Sequence, residues 1–263
     1  MRFSRHCFRS YNVWMWFFVA VVLLLCAWDQ RMFVMDLAQY KGLHSNQWDV
    51  LMACLGSPFL VLYLISPFWI FHSSRMILQD WDPVVLIRFK SPMHWVWFTL
   101  AKRIGQLIVF YVLLLLAAVA MTTGIPWESD WSAFTKSPSG HLIAYTQPVY
   151  ESGISPWLGV LLEMGLAGGY LIVIQLLLYS LFLLFSHKRL VLLFGSVLIF
   201  IGGIVSYKMV PGDLPFAKVT SYFVLSYTLQ SFPAVWVPFA MYLLFSVVLL
   251  GFAYLYLRMK RIE

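Results

Sequence analysis

The sequence predicts an all-α polytopic membrane protein with six transmembrane helices. Three observations carry the prediction. The chain is 62% hydrophobic and only 11% charged, where a soluble domain holds roughly 25% charged residues. Six runs are long and apolar enough to cross a bilayer, which takes about 20 residues at 1.5 Å each. The basic residues also gather in alternate connections between those runs, as insertion of a multi-pass chain requires.

The elements follow in order within one transmembrane domain, residues 1–263. The first span, about 12–28, follows Arg2, Arg5 and Arg9. That start resembles a secretory signal, but no small-x-small cleavage site follows, so it reads as an uncleaved anchor. The second span, about 50–71, carries Pro58 and Pro67, positions of packing or of a hinge. The third covers about 96–121. Loop chemistry rich in Pro, Gly and Ser fills 122–155, with Trp127 and Trp131 as interface anchors. The fourth span, about 156–186, is over-long: it tilts, projects, or breaks at Gly168-Gly169. The fifth covers about 190–207. Residues 208–232 open with turn chemistry and become amphipathic and aromatic, which predicts a re-entrant or interfacial outer helix. The sixth span covers about 233–257.

Between the second and third spans lies "DWDPVVLIRFKSP", residues 80–92, with four charges and two prolines. Asp82-Pro83 has the form of an N-cap followed by proline at the first helical position. Ser91-Pro92 ends that short helix, because the residue before proline disfavours the α conformation, and the same pair caps the third span. Arg88 and Lys90 fall near the C-terminus of the short helix, where its dipole favours cations.

With the N-terminus inside, 13 of the 18 basic residues fall on the cytoplasmic side, and Arg31, Lys41, Lys136, Lys208 and Lys218 fall outside. Both termini are then cytoplasmic, and the net charge of +7 reflects orientation and anionic lipid contact rather than nucleic-acid binding. Cys7, Cys26 and Cys54 are too few and too scattered for a disulfide framework or a zinc site. No P-loop, His-Glu-x-x-His or Gly-x-Ser-x-Gly pattern occurs, so no catalytic residue and no ATP site is assigned to this chain. His72, His94 and His187 lie near cytoplasmic span ends, where contacts with dipoles and headgroups outweigh a haem or metal reading. Glu163 is the one acid inside an expected span. An intramembrane carboxyl is a candidate for a substrate pathway, together with Gly168 and Gly169. The plainer reading has it reaching water or a hydroxyl, with the glycines as a packing face.

The ordering of six spans, both ends inside, a capped helix after span two and an outer hairpin before span six resembles the ABC-2 type permeases of bacterial ABC transporters. Locally, "DPVVLIRFKSPMHWVWFTLAKR" looks like the stretch many small exporting members carry there, with Pro83, Leu86 and Arg88, then Trp95, Trp97 and the basic pair Lys102-Arg103. The resemblance implies a coupling helix that docks on a separate nucleotide-binding ATPase subunit. Asp80, Trp81, Pro83, Leu86, Arg88, Phe89 and Lys90 would be the contact set. It further implies a second permease copy or a related chain, residence in a bacterial inner membrane, and ATP and Mg held by the partner with no cofactor here. The substrate would be a hydrophobic peptide, a drug-like molecule or a lipid. Two other readings compete: a membrane-embedded enzyme or redox subunit using Glu163 or the interfacial histidines, and a non-transporting immunity or scaffold protein. Lipid anchoring by Arg88 and Lys90 is the simpler role for residues 80–92.

Overall fold

In the computed structural model, which describes residues 13–81, 91–137, 146–185, 188–211, 214 and 216–259, the chain is a bundle of helices without a strand among those residues. Helix α1 spans Val13–Lys41. The second span is assembled from α2 (Gln47–Gly56), α3 (Pro58–Leu60), a π-helical turn (Val61–Ile65) and α4 (Ser66–Asp80). Helix α5 covers Pro92–Ala120, the short α6 and α7 cover Ala133–Lys136 and Gln147–Glu151, and α8 covers Pro156–Leu184. Helix α9 is Lys188–Met209, the hairpin helices α10 and α11 are Thr220–Phe223 and Leu225–Ser231, and α12 is Trp236–Met259.

Six of these segments are long and apolar enough to cross a membrane. The outward faces of α1, α9 and α12 expose large apolar side chains such as Phe17, Phe194, Leu198, Leu243 and Val247. Patches that extensive are untenable in water and ordinary against acyl chains. The protein is therefore a multi-pass membrane protein.

The second span and α8 form the centre. Helix α8 packs against α2, α4, α5, α9, α12 and the α10–α11 hairpin, while the second span also contacts α1, α5 and α9. Lipid tails offer no hydrophobic drive between helices, so close backbone approach and polar contacts must hold them together. Both devices occur. Helices α8 and α12 run parallel, with Gly165 beneath Phe239 and Gly169 beneath Tyr242. The Trp69 indole N–H donates to the Leu171 carbonyl at 3.1 Å, joining α4 to α8.

Helix α8 is continuous through Gly168-Gly169. Gly168 faces the Tyr111 ring and Gly169 faces the Tyr242 ring, so the pair serves packing and the helix does not break. The break comes in the second span, where Ser57 adopts extended backbone ahead of Pro58 and the π turn follows. Proline at 58 lacks an N–H and disfavours α geometry at Ser57, and the widened turn absorbs the change of direction. The Ser57 hydroxyl accepts from Leu60 N at 3.4 Å and caps the restarted helix. Helix α1 continues past the expected end at residue 28 to Lys41, giving a rod of about 44 Å. A drop in hydropathy at Asp29-Gln30-Arg31 does not end a helix, because the backbone hydrogen bonds continue regardless of side-chain polarity.

The bundle has two distinct ends. Its basic end, where α4 finishes and α5 starts, carries Arg75, Lys102, Arg103 and Arg189. The loop end carries residues 42–46, 121–137, 146–155, 210–211, 214 and 216–235. Helix α1 begins at the basic end, where Trp16 meets His72 edge-on at 6.2 Å, and α12 finishes there.

A Cβ on Gly169 would lie 2.5 Å from Tyr242 Cδ2, while one on Gly202 would meet nothing within 4 Å. Gly169→Ala is accordingly expected to destabilise the detergent-solubilised protein by about 1–3 kcal/mol in thermal or chemical unfolding. Gly202→Ala is expected to leave stability unchanged or slightly raised.

Candidate functional site

At the basic end, the chain leaves α4 and enters α5 through a clamp built on Asp80. The Arg103 side chain is 1% exposed and its guanidinium meets the Asp80 carboxylate at 2.9 Å; Lys102 approaches the other oxygen at 3.4 Å. A buried guanidinium must be paired, since leaving it alone in a low-dielectric interior costs several kcal/mol. Gln106 extends the pair: its side-chain oxygen accepts from Arg103 Nη1 and lies 3.2 Å from His72 Nε2. Four residues from α4 and α5 thus form one continuous polar chain inside the bundle.

The backbone is held as firmly as the charge. The indole N–H of Trp95 donates to the Asp80 carbonyl at 2.9 Å, at the end of α4 where carbonyls lack intrahelical donors. Ser91 caps α5, its hydroxyl accepting from His94 N at 3.1 Å, and Pro92 takes the first helical position. Trp81 packs edge-on against Trp95 at 4.8 Å and against Phe182 of α8 at 5.0 Å. Residues 80–81 and 91–95 are therefore pinned to each other and to α8. Of the seven residues expected to form a contact set, Asp80 and Trp81 are engaged within this clamp. Pro83, Leu86, Arg88, Phe89 and Lys90 lie outside the described residues, as does the helix expected to begin at Asp82-Pro83. Asp80 thus pairs with Arg103, 23 positions downstream. The readable trace of that pair is the polar cluster Lys102, Arg103 and Gln106 within a mostly apolar span.

Glu163 organises the opposite half of the bundle. Its side chain is 1% exposed, and Oε2 accepts from the Leu225 backbone N–H at 2.9 Å. Oε1 has no hydrogen-bond partner among the described residues. A Cβ on Gly56 would come within 3.1 Å of the Glu163 carboxyl carbon, so the glycine makes room for the acid. Among the described residues the carboxyl meets no hydroxyl; its partner is a backbone N–H, and it pins the α10–α11 hairpin to α8. Phe223, Val224 and Leu225 at that contact are fully buried, and Tyr242 adds a hydrogen bond to the Tyr222 carbonyl at 2.6 Å. His72 belongs to the basic-end chain and Glu163 to the hairpin, so the two stand in separate clusters. Among the described residues no three His, Cys, Asp or Glu side chains come together as metal ligands.

A third network closes the loop end. Asn46 caps α2 in a reciprocal box with Asp49, accepting from Trp48 N at 3.0 Å while Asp49 accepts from Asn46 N at 2.8 Å. The Asn46 amide then donates to the Asp130 carbonyl at 2.8 Å, and Gln47 exchanges two hydrogen bonds with the backbone of Glu128. Thr135 donates to Asp49. The Lys136 ammonium and the Trp131 N–H hold the exposed Asp130 carboxyl below its usual range. That small contribution is present at neutral pH and is lost as pH falls through the lowered value, with salt screening it further. The Asn-x-x-Asp pattern at 46–49 was the readable trace of this network.

No protein-family model, no curated protein and no solved structure matches the chain.

Glu163→Leu is expected to lower the unfolding temperature and increase protease cleavage within 208–232, because Leu225 N loses its acceptor in a dry interior. Glu163→Gln keeps an acceptor oxygen and is expected to retain most of the protection. Equal loss in both variants would show that the negative charge, rather than the hydrogen bond, holds the hairpin.

Proposed function

We propose that this chain is the membrane-spanning permease subunit of an ATP-driven ABC exporter, working with a separate nucleotide-binding ATPase subunit and a second permease copy or a related chain. One observation supports the reading above the others. The two stretches that flank residues 82–90, Asp80-Trp81 and Ser91-Trp95, are bonded to each other and to α8. A free surface anchor needs no such mounting. A segment that takes force from a partner does, because a push on a loose loop is lost in the loop.

The chain of contacts leads from that segment into the transmembrane bundle. Asp80 is tied to Arg103, Arg103 to Gln106 and Gln106 to His72, so a displacement at 82–90 bears on the second and third spans together. The π turn at Val61–Ile65 and the break at Ser57 lie farther along the second span, where a helix bends at the least cost. Closure of the ATPase dimer on ATP and Mg would move both permease copies between inward- and outward-facing states. In this reading the basic end is cytoplasmic, both termini lie there, and the membrane is a bacterial inner membrane. The substrate is a hydrophobic peptide, a drug-like molecule or a lipid. This chain contributes no residue to hydrolysis; its work is to bind substrate differently in the two states.

The test is affinity purification of the tagged full chain from its native membranes, with ATP hydrolysis measured on the eluate. An ATPase subunit is expected to co-purify, and Arg88→Glu with Phe89→Ala is expected to release it while helical content and elution volume stay unchanged. Retention of the ATPase by that double variant would refute the docking assignment. Absence of ATPase from the wild-type eluate would refute the exporter reading.

A further inference from the structure

We propose that the groove between α4 and α9 is a binding site for one anionic glycerophospholipid, with its phosphate on Arg75 and Arg189 and its acyl chains along the two helices. The site goes beyond the transport reading and stands or falls independently of it. The groove is an open cavity of about 720 Å³ at the basic end. Its walls carry a repeated pattern. Pro67, Phe71 and Arg75 lie four residues apart on α4, and Arg189, Leu193 and Val197 lie four apart on α9. Positions four apart share one helix face. The two helices run in opposite directions, so each strip of apolar residues ends in an arginine and both arginines fall at the basic end.

The polar inventory of the groove has one sign. Neither Arg75 nor Arg189 is in an ion pair with a described residue, and no Asp or Glu lines the cavity. The nearby Asp80 is already committed to Arg103 and Lys102. The two hydroxyls at the groove, Ser74 and Ser196, lie 3.0 Å apart and bond to each other, closing its floor between the helices. Two guanidiniums without a counter-charge among the described residues, next to an apolar trough, call for a ligand with one anionic group and a long apolar body.

Length selects a membrane lipid among such ligands. From Arg189 to Phe200 the α9 wall extends about 16 Å, and from Arg75 to Pro67 the α4 wall extends about 12 Å. Half of a hydrocarbon core is about 15 Å. The trough therefore accommodates the chains of one leaflet, with the phosphate at headgroup depth. Outer wall residues Phe71, Leu193 and Val197 are exposed, so lipid enters sideways from the bilayer without any opening of the bundle.

Native mass spectrometry of the purified full chain, titrated with phosphatidylglycerol or phosphatidylethanolamine of equal chain length, tests the site. One phosphatidylglycerol per chain is expected to be retained about tenfold more strongly than phosphatidylethanolamine. Arg75→Gln with Arg189→Gln is expected to abolish that preference, and Val197→Trp, which fills the trough without touching charge, is expected to weaken both lipids. Lys208→Gln at the loop end is expected to change nothing, and glycerol 3-phosphate in tenfold excess is expected not to compete. Equal retention of the two lipids by the wild type would overturn the proposal, as would an unaltered preference in the double arginine variant. Competition by glycerol 3-phosphate would also overturn it, by showing that the apolar walls take no part. If the arginine variant does not fold, the wild-type preference and the Val197→Trp result decide the matter.

Discussion

The buried ion pair between Arg103 and Asp80 is the interaction on which the basic end of this molecule depends. An arginine 1% exposed within a membrane bundle is tolerated only when its charge is met, and Asp80 is the carboxylate that meets it. That requirement fixes the C-terminal end of the second span against the third. Once Asp80 is fixed, Trp95 reaches its carbonyl, Trp81 lands between Trp95 and Phe182, and Ser91 starts α5 at the opposite end of the segment. A single electrostatic demand thus fixes the end of α4 against the start of α5.

The other half of the bundle solves the same problem with a different group. Glu163 meets a backbone N–H in place of a cation, and so secures the only hairpin among the described residues that folds back into the apolar core. Gly56 and Gly169 allow the close approaches this needs, one leaving room for the carboxyl and the other for the Tyr242 ring. Small residues and sparse polar contacts carry the packing, as lipid-embedded helices require. The two halves share α8, which binds the hairpin near its start and the aromatic cluster of the clamp near its end.

Much of this architecture was legible in the chain. Six apolar runs, the Ser91-Pro92 start of the third span and the inward-folding segment before the last span are local signals, carried by hydropathy, capping and turn residues within a few positions. The parts that were not legible depend on distant pairs. Asp80 carries no local sign of Arg103, because the two lie 23 residues apart. Glu163 looked like a residue in search of water because its partner is a backbone N–H, which no side-chain pattern announces. The Gly168-Gly169 pair reads as a packing face first and a hinge second, and the rings it packs against, Tyr111 and Tyr242, are distant in sequence. Helix α1 was cut short at residue 28 because hydropathy falls at Asp29, though nothing in the backbone chemistry stops the helix there. The loop-end network is announced only by Asn46 and Asp49, since its other members are loop backbone groups and side chains such as Thr135, 86 positions from Asp49.

Asp80 and Arg103 act as one unit that clamps residues 80–81 and 91–95 to the bundle. A double-mutant cycle on unfolding free energy measures it directly, using Asp80→Asn, Arg103→Gln and the pair together in detergent-solubilised protein. The account predicts that each single change is strongly destabilising and that the double variant is less destabilised than the sum, by about 1–3 kcal/mol. Additive effects, agreeing to within about 0.5 kcal/mol, would contradict it.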